Sequence, residues 1–279
     1  MIKSNFGTLG AAALALMMGT GVALADGMGS VKDSGPPPDE GRKFGFSWNI
    51  GVTSDYVFRG VSQNAGDPTV QGGVDFTYGM LYAGVWGSGV DFGPNAAGNS
   101  LAHAEMDIYG GIKPVWGPVT FDFGVIYYTY PSARDGNGLA PEQDMVEFKV
   151  GASGSFVPNL TTGVTVFMSP NYTGEQGFVT TVEGTAGYEL PKFYGITPTI
   201  GGTLGGVFGD ASDASKPFIA ANGKDSYMYW NAGLTLGIDK LAIDFRYWDT
   251  DISNGSTGFC SADLFGCDER FVASAKVTF

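Results

Sequence analysis

The sequence predicts an all-β fold, a single antiparallel barrel of about twelve strands that crosses a membrane, with short periplasmic turns and longer extracellular loops. Three observations carry this expectation. Apolar residues recur at every second position from Phe44 onward, as on strands with two different faces. The connections between these segments alternate between short and long. The composition has 45 glycines, 14% aromatic and only 15% charged residues in a chain of 279, with a mean hydropathy of +0.04. That balance is too polar for a bundle of membrane helices, too aromatic for a disordered chain and too rich in glycine for an ordinary helical enzyme.

Residues 1–25 read as a cleaved signal peptide. Lys3 precedes a short apolar run from Ala11 to Met18, and Ala23-Leu24-Ala25 supplies a small-residue cleavage site, with scission between Ala25 and Asp26. Cleavage removes Lys3 alone, so the net charge of −13 becomes −13 − 1 = −14. A chain this acidic, without a basic stripe, has no electrostatic reason to bind nucleic acid. Residues 26–43, with Pro36-Pro37-Pro38, lack periodicity and read as a flexible periplasmic lead-in. The barrel is expected over 44–279.

The first strand alternates Phe44, Phe46, Trp48, Ile50 and Val52 with Gly45, Ser47, Asn49, Gly51 and Thr53. Similar segments begin near Val70, Leu81, Ala104, Val119, Val146, Leu160, Phe178, Ile196, Met228, Leu241 and Phe271, an even total as in bacterial single-chain barrels. Connections after even-numbered strands are short or modest: around Gly79, Lys113 to Pro118, Val157 to Asn159, Leu190 to Gly195, and Ile238 to Lys240. Those after odd-numbered strands are mostly longer, among them Gly60 to Asp67, Pro131 to Asp144, Gly209 to Asp225 and Asp249 to Glu269. Tyr78, Trp116, Tyr128, Tyr130, Phe156, Tyr188, Tyr194, Phe208, Trp230 and Trp248 lie near strand ends, where interfacial girdles are expected. Glycines within strands, such as Gly72, Gly84, Gly110 and Gly202, make room for large neighbours and permit local curvature.

The stretch Ser54-Asp55-Tyr56-Val57-Phe58-Arg59-Gly60-Val61-Ser62-Gln63, followed by Gly66-Asp67-Pro68, resembles the opening signature of the TorF family of proteobacterial porins. Tyr82 to Ser88, Glu105 to Gly110, Tyr127 to Pro131 and Cys267 to Arg270 resemble the same family in the same order. The resemblance implies an outer-membrane barrel and a channel, without defining a substrate. The final strand, with Phe271, Val277 and the terminal Phe279 on its apolar face, is similar to the C-terminal signal by which such barrels are recognised for assembly. Outer-membrane lipid and the barrel-assembly machinery are thus expected partners, a homo-oligomer is left open, and no cofactor is implied.

The parity opposite the apolar one carries Asp55, Asp75, Glu105, Asp107, Asp122, Glu147, Glu183, Glu189 and Asp244 against Arg59, Lys149, Arg246 and Lys276. An acid-dominated lumen would favour cations or neutral solutes; a network of paired charges would instead rigidify or plug it. Approximate register places Asp107, Gly124 and Lys149 side by side, pairs Asp244 with Lys276 and sets Arg246 opposite Asn231. For Arg59, selection at the mouth and a tie between the first loop and a barrel carboxylate are both open, the tie being preferred. His103 lacks a neighbouring serine, and no metal or nucleotide motif is present, so enzymatic activity is not expected. Cys260 and Cys267, the only cysteines, are expected to form one disulfide. The expected function is passive diffusion of small polar solutes or ions, the alternative a non-conducting structural or adhesive barrel.

Overall fold

A computed structural model describes residues 44–93, 101–131, 133, 142–209, 225–252, 260 and 266–279. The expected signal peptide and lead-in lie outside these residues. The strands are β1 (Phe44–Thr53), β2 (Val57–Phe58), β3 (Val61–Ser62), β4 (Thr69–Tyr78), β5 (Leu81–Gly89), β6 (Ala104–Ile112), β7 (Val115–Trp116), β8 (Val119–Thr129), β9 (Met145–Val157), β10 (Leu160–Ser169), β11 (Val179–Glu189), β12 (Ile196–Gly209), β13 (Ser226–Ile238), β14 (Leu241–Thr250) and β15 (Arg270–Thr278). Twelve of them are long and form an antiparallel barrel in which each pairs with its neighbours in sequence, β6 pairing with β8. The barrel closes where β1 pairs with β15, Asn49 opposite Thr278 through Thr53 opposite Ser274. The two-residue β7 extends one end of β8, while β2 and β3 form a separate hairpin.

The usual relation of burial to polarity is inverted, as a barrel surrounded by lipid requires. Phe46, Ile50, Val52, Met106, Ile108, Phe123, Val125, Phe148, Val150 and Leu204 are exposed on the outer wall. Asn49, Gln71, Asp75, Glu105, Asp107, Glu147, Lys149, Glu183 and Asp244 are buried inside. Phe271 and Phe279 face outward on β15 and at its end, and Phe279 stacks on Trp48 of β1 with ring centroids 4.1 Å apart.

Three details differ from the sequence reading. The turn after β6 is centred two residues later than expected, because β7 folds back on β8 and the reversal occurs at Trp116 to Val119, where Gly117 takes φ +58°. Asp107 therefore stands opposite Tyr128 rather than Gly124, while Lys149 is indeed opposite Gly124. On the last strands Asp244 faces Ser274, not Lys276, and Arg246 faces Gly233, not Asn231. Every shift is even, so each side chain keeps its face. Second, Tyr128, Tyr130 and Trp248 are buried rather than girdle residues; Tyr128 shares the inward parity of Asp122. Trp116, Phe156 and Tyr194 are exposed at the short-turn end as expected. Third, β1 does not run on to Arg59, ahead of the expected connection at Gly60: it stops at Thr53, whose hydroxyl bonds the Asp55 carbonyl at 2.7 Å, and the chain turns into the barrel.

Candidate functional site: the barrel lumen

The connection between β1 and β4 folds inward instead of standing out from the mouth. Its own bonds shape it: Gln63 N–H donates to the Tyr56 carbonyl at 2.7 Å, and the Asn64 side-chain oxygen accepts from Tyr56 N–H at 2.8 Å. Val57 pairs with Ser62 and Phe58 with Val61, leaving Arg59 and Gly60 as a two-residue turn with φ of +51° and +82°. Positive φ at both central positions is the type I′ geometry whose twist suits a hairpin. Gly60 is required for space as well, since a Cβ there would lie 2.5 Å from Thr250 Cγ2 and 2.8 Å from Tyr229 Cβ. The hairpin tip thus presses against the β13 and β14 wall.

From the same turn the Arg59 guanidinium reaches Glu147 on β9 through two parallel hydrogen bonds, Nη1 to Oε1 at 2.8 Å and Nη2 to Oε2 at 2.9 Å. Its carbon lies 4.6 Å from the Phe58 ring centroid and 4.9 Å from that of Phe167 on β10. In barrel order β9 and β10 are the fifth and sixth strands from β1, on the far wall. The loop therefore spans the lumen. Its base is tied to the wall next to β1, where Asp55 accepts from Arg270 Nη1 at 2.6 Å and from the Ser62 hydroxyl at 2.8 Å. Burial pushes the Asp55 carboxyl above its ordinary value, opposed by the bonds from Arg270 and Ser62.

A recurring unit lines the wall: a tyrosine hydroxyl donating to a carboxylate on another element. Tyr56 donates to Glu105 at 3.0 Å, Tyr128 to Glu147 at 2.8 Å, Tyr109 to Asp75 at 2.6 Å and Tyr82 to Asp122 at 2.8 Å. Tyr229 donates to Glu183. Toward the short-turn end, Lys149 Nζ lies 2.9 Å and Lys113 Nζ 3.7 Å from Asp122. Arg246 bonds both oxygens of Asp244 at 3.0 Å and reaches Asn231 Oδ1 at 2.7 Å, a diagonal contact that survives the two-residue register difference. Lys276 lies in the fields of Asp75 and Asp244.

Of the thirteen residues expected to face inward, twelve lie on the inner wall or on the folded loop; Glu189, at the end of β11, is exposed. Sequence reasoning missed two cations that join them, Lys113 in a turn and Arg270 at the start of β15. It also missed the tyrosine partners, although Tyr82, Tyr109, Tyr128 and Tyr229 carry the inward parity. Among the described residues the inner face holds eight carboxylates and six cations. The carboxylates are Asp55, Asp75, Glu105, Asp107, Asp122, Glu147, Glu183 and Asp244. The cations are Arg59, Lys113, Lys149, Arg246, Arg270 and Lys276.

Cys260 and Cys267 form a disulfide in the connection before β15. The Gly266 carbonyl accepts from Ser62 N–H at 3.0 Å, and the Cys267 carbonyl from the Thr250 hydroxyl at 2.8 Å. Gly266 is thereby tied to the inward loop and Cys267 to the end of β14. His103 is exposed at the start of β6.

A closed antiparallel barrel with an apolar outer wall and a charged interior defines the class as that of transmembrane β-barrels. The chain belongs to the family described as a bacterial protein of unknown function (Gcw_chp), whose model matches residues 39–279. Among solved structures it is similar to the NanC porin, with a TM-score of 0.51 and 10% identity over 84% of this chain and 99% of that one. The KdgM porin follows with a TM-score of 0.49 and 7% identity, covering 84% of this chain and 98% of that one. At 10% identity the likeness to the NanC porin is one of fold. No curated protein matches the sequence.

Proposed function

We propose that the chain is an outer-membrane channel of the TorF porin type that passes small polar solutes or ions by diffusion and prefers cations or neutral molecules. The acidic excess of the lumen carries the reading. Eight carboxylates oppose six cations on the inner face among the described residues, and fixed acidic charge in a low-dielectric passage raises local cation concentration and repels anions. The TorF-like signature at Ser54 to Gln63 supports it, because that stretch builds the element spanning the lumen. The fold it shares with the NanC porin supports an outer-membrane setting. In this reading residues 1–25 direct export and are removed between Ala25 and Asp26, 26–43 trail in the periplasm, and β15 engages the assembly machinery.

The test is reconstitution into a planar bilayer under a salt gradient. Discrete conductance steps with a cation-favouring reversal potential are the expected result, with the preference reduced in Glu105→Gln and Glu183→Gln. Silence from protein that folds, as judged by a heat-dependent shift on a denaturing gel, would count against the channel. One observation favours the second reading, a non-conducting structural or adhesive barrel: Trp86, Tyr56, Arg59, Tyr128 and Tyr229 are fully buried inside the barrel. N-terminal sequencing of protein from the outer membrane checks the cleavage site.

A further inference from the structure

We infer that the β2–β3 hairpin is the size filter of the channel, a strut across the lumen that Arg59 holds in place through Glu147. The inference rests on the channel reading and names the element that sets what can pass. Four observations carry it. The hairpin leaves the barrel at β1 and its tip ends on strands five and six places round the wall. It is fixed at both ends, by Asp55 and Arg270 at the base and by Arg59 and Glu147 at the tip. Its turn fits between opposing surfaces, with Gly60 against Tyr229 and Thr250 while Phe58 packs edge-on against Tyr128 at 5.9 Å. Finally, Arg59 adopts a backbone conformation that non-glycine residues rarely take, with φ +51°, so the position is held by its contacts rather than by local preference.

A hydrated solute must pass beside this strut, and the free cross-section left there limits its size. Arg59 is a positioning residue: its charge is matched by Glu147, the pair is buried, and together they add no net charge to the passage. The strut therefore acts on size, whereas the unequal carboxylates around it act on charge.

The experiment compares wild-type protein with Arg59→Met/Glu147→Gln, which removes one charge of each sign and leaves no uncompensated buried ion. The readouts are single-channel conductance in potassium chloride and the swelling of proteoliposomes in neutral sugars of graded size. The expected result is a conductance at least about twofold higher in the variant, with larger sugars admitted. A silent wild type with a conducting variant overturns the filter, since the strut then closes the lumen completely and passes nothing. Equal conductance and equal size limit in two folded, conducting proteins overturn the filter while leaving the channel intact. Silence from both overturns the channel and the filter together. If the double variant does not fold, replacement of Val57–Ser62 by Gly-Ser in the Glu147→Gln background decides by the same readouts.

Discussion

The ring of Tyr109 lies where a side chain on Gly84 would have to go: a Cβ at residue 84 would meet the Tyr109 ring carbons and hydroxyl oxygen at 2.5 Å. The glycine on β5 lets the tyrosine of β6 lie flat along the inner wall and donate to Asp75 on β4 at 2.6 Å. Gly205 and Tyr229 repeat the arrangement on β12 and β13, where the tyrosine donates to Glu183. At Gly84, Gly111, Gly124 and Gly205 the missing side chain is thus the space that an inward tyrosine occupies. Gly84→Val displaces the ring and breaks its bond to Asp75, an overpacking expected to cost about 1–3 kcal/mol. Urea unfolding in lipid vesicles measures it; an unchanged midpoint would show that Tyr109 has room to move.

The two buried ion pairs of β9 differ in what remains when the cation is removed. Arg59→Met leaves Glu147, at 1% exposure, with only the Tyr128 hydroxyl, and a loss of about 3–5 kcal/mol is expected. Lys149→Met leaves Asp122 with Lys113 and Tyr82, so about 1–2 kcal/mol is expected. Adding Glu147→Gln to Arg59→Met should recover part of the first loss, a coupling that a double-mutant cycle reads directly.

These contrasts show which features were legible in the sequence. Alternation alone assigns Asp75, Glu105, Asp107, Glu147, Lys149 and Asp244 to the interior, because period-2 parity is unaffected by even register shifts. Which residues touch depends on where each turn reverses. Gly117 moves that point by two residues, and Asp107 consequently meets Tyr128 instead of Gly124. The inward course of the Ser54 to Pro68 connection has no periodic signature at all. Only Arg59-Gly60, a turn dipeptide between Val57-Phe58 and Val61-Ser62, marks it, and its partner Glu147 lies 88 residues away.

Asp55 gives the base of the strut a pH dependence. Its carboxyl is raised by burial, so the folded chain holds this proton more tightly than the unfolded chain, where the ordinary value is 3.8. Stability from this group is therefore lowest above the folded value and is gained as pH falls through it toward the unfolded value. Asp55→Asn should flatten the corresponding slope at pH values above 3.8. Unfolding midpoints of both proteins at a series of pH values check the sign; a steeper slope in the variant would contradict it.

The disulfide closes a segment with a sequence separation of 7 and presents the Gly266 and Cys267 carbonyls to Ser62 and Thr250. Cys260→Ser/Cys267→Ser should cost about 2–3 kcal/mol from the loop closure alone. Proteolysis in the 253–265 connection should also become faster than in the oxidised wild type. Equal cleavage rates would show that other contacts hold the segment.

The meeting of β1 and β15 governs how this protein can come into being. Ser274 donates to the Thr53 hydroxyl across 221 residues of sequence, and Phe279 covers Trp48. Until the last nine-residue strand arrives, every shorter version of the chain is an open sheet with two raw edges that could pair with another molecule. Closure of the barrel therefore waits for β15, and the sheet must be sheltered until that strand is available. The same seam is registered by five residue pairs where β1 and β4 share ten, making it the place from which an intact barrel would begin to unzip.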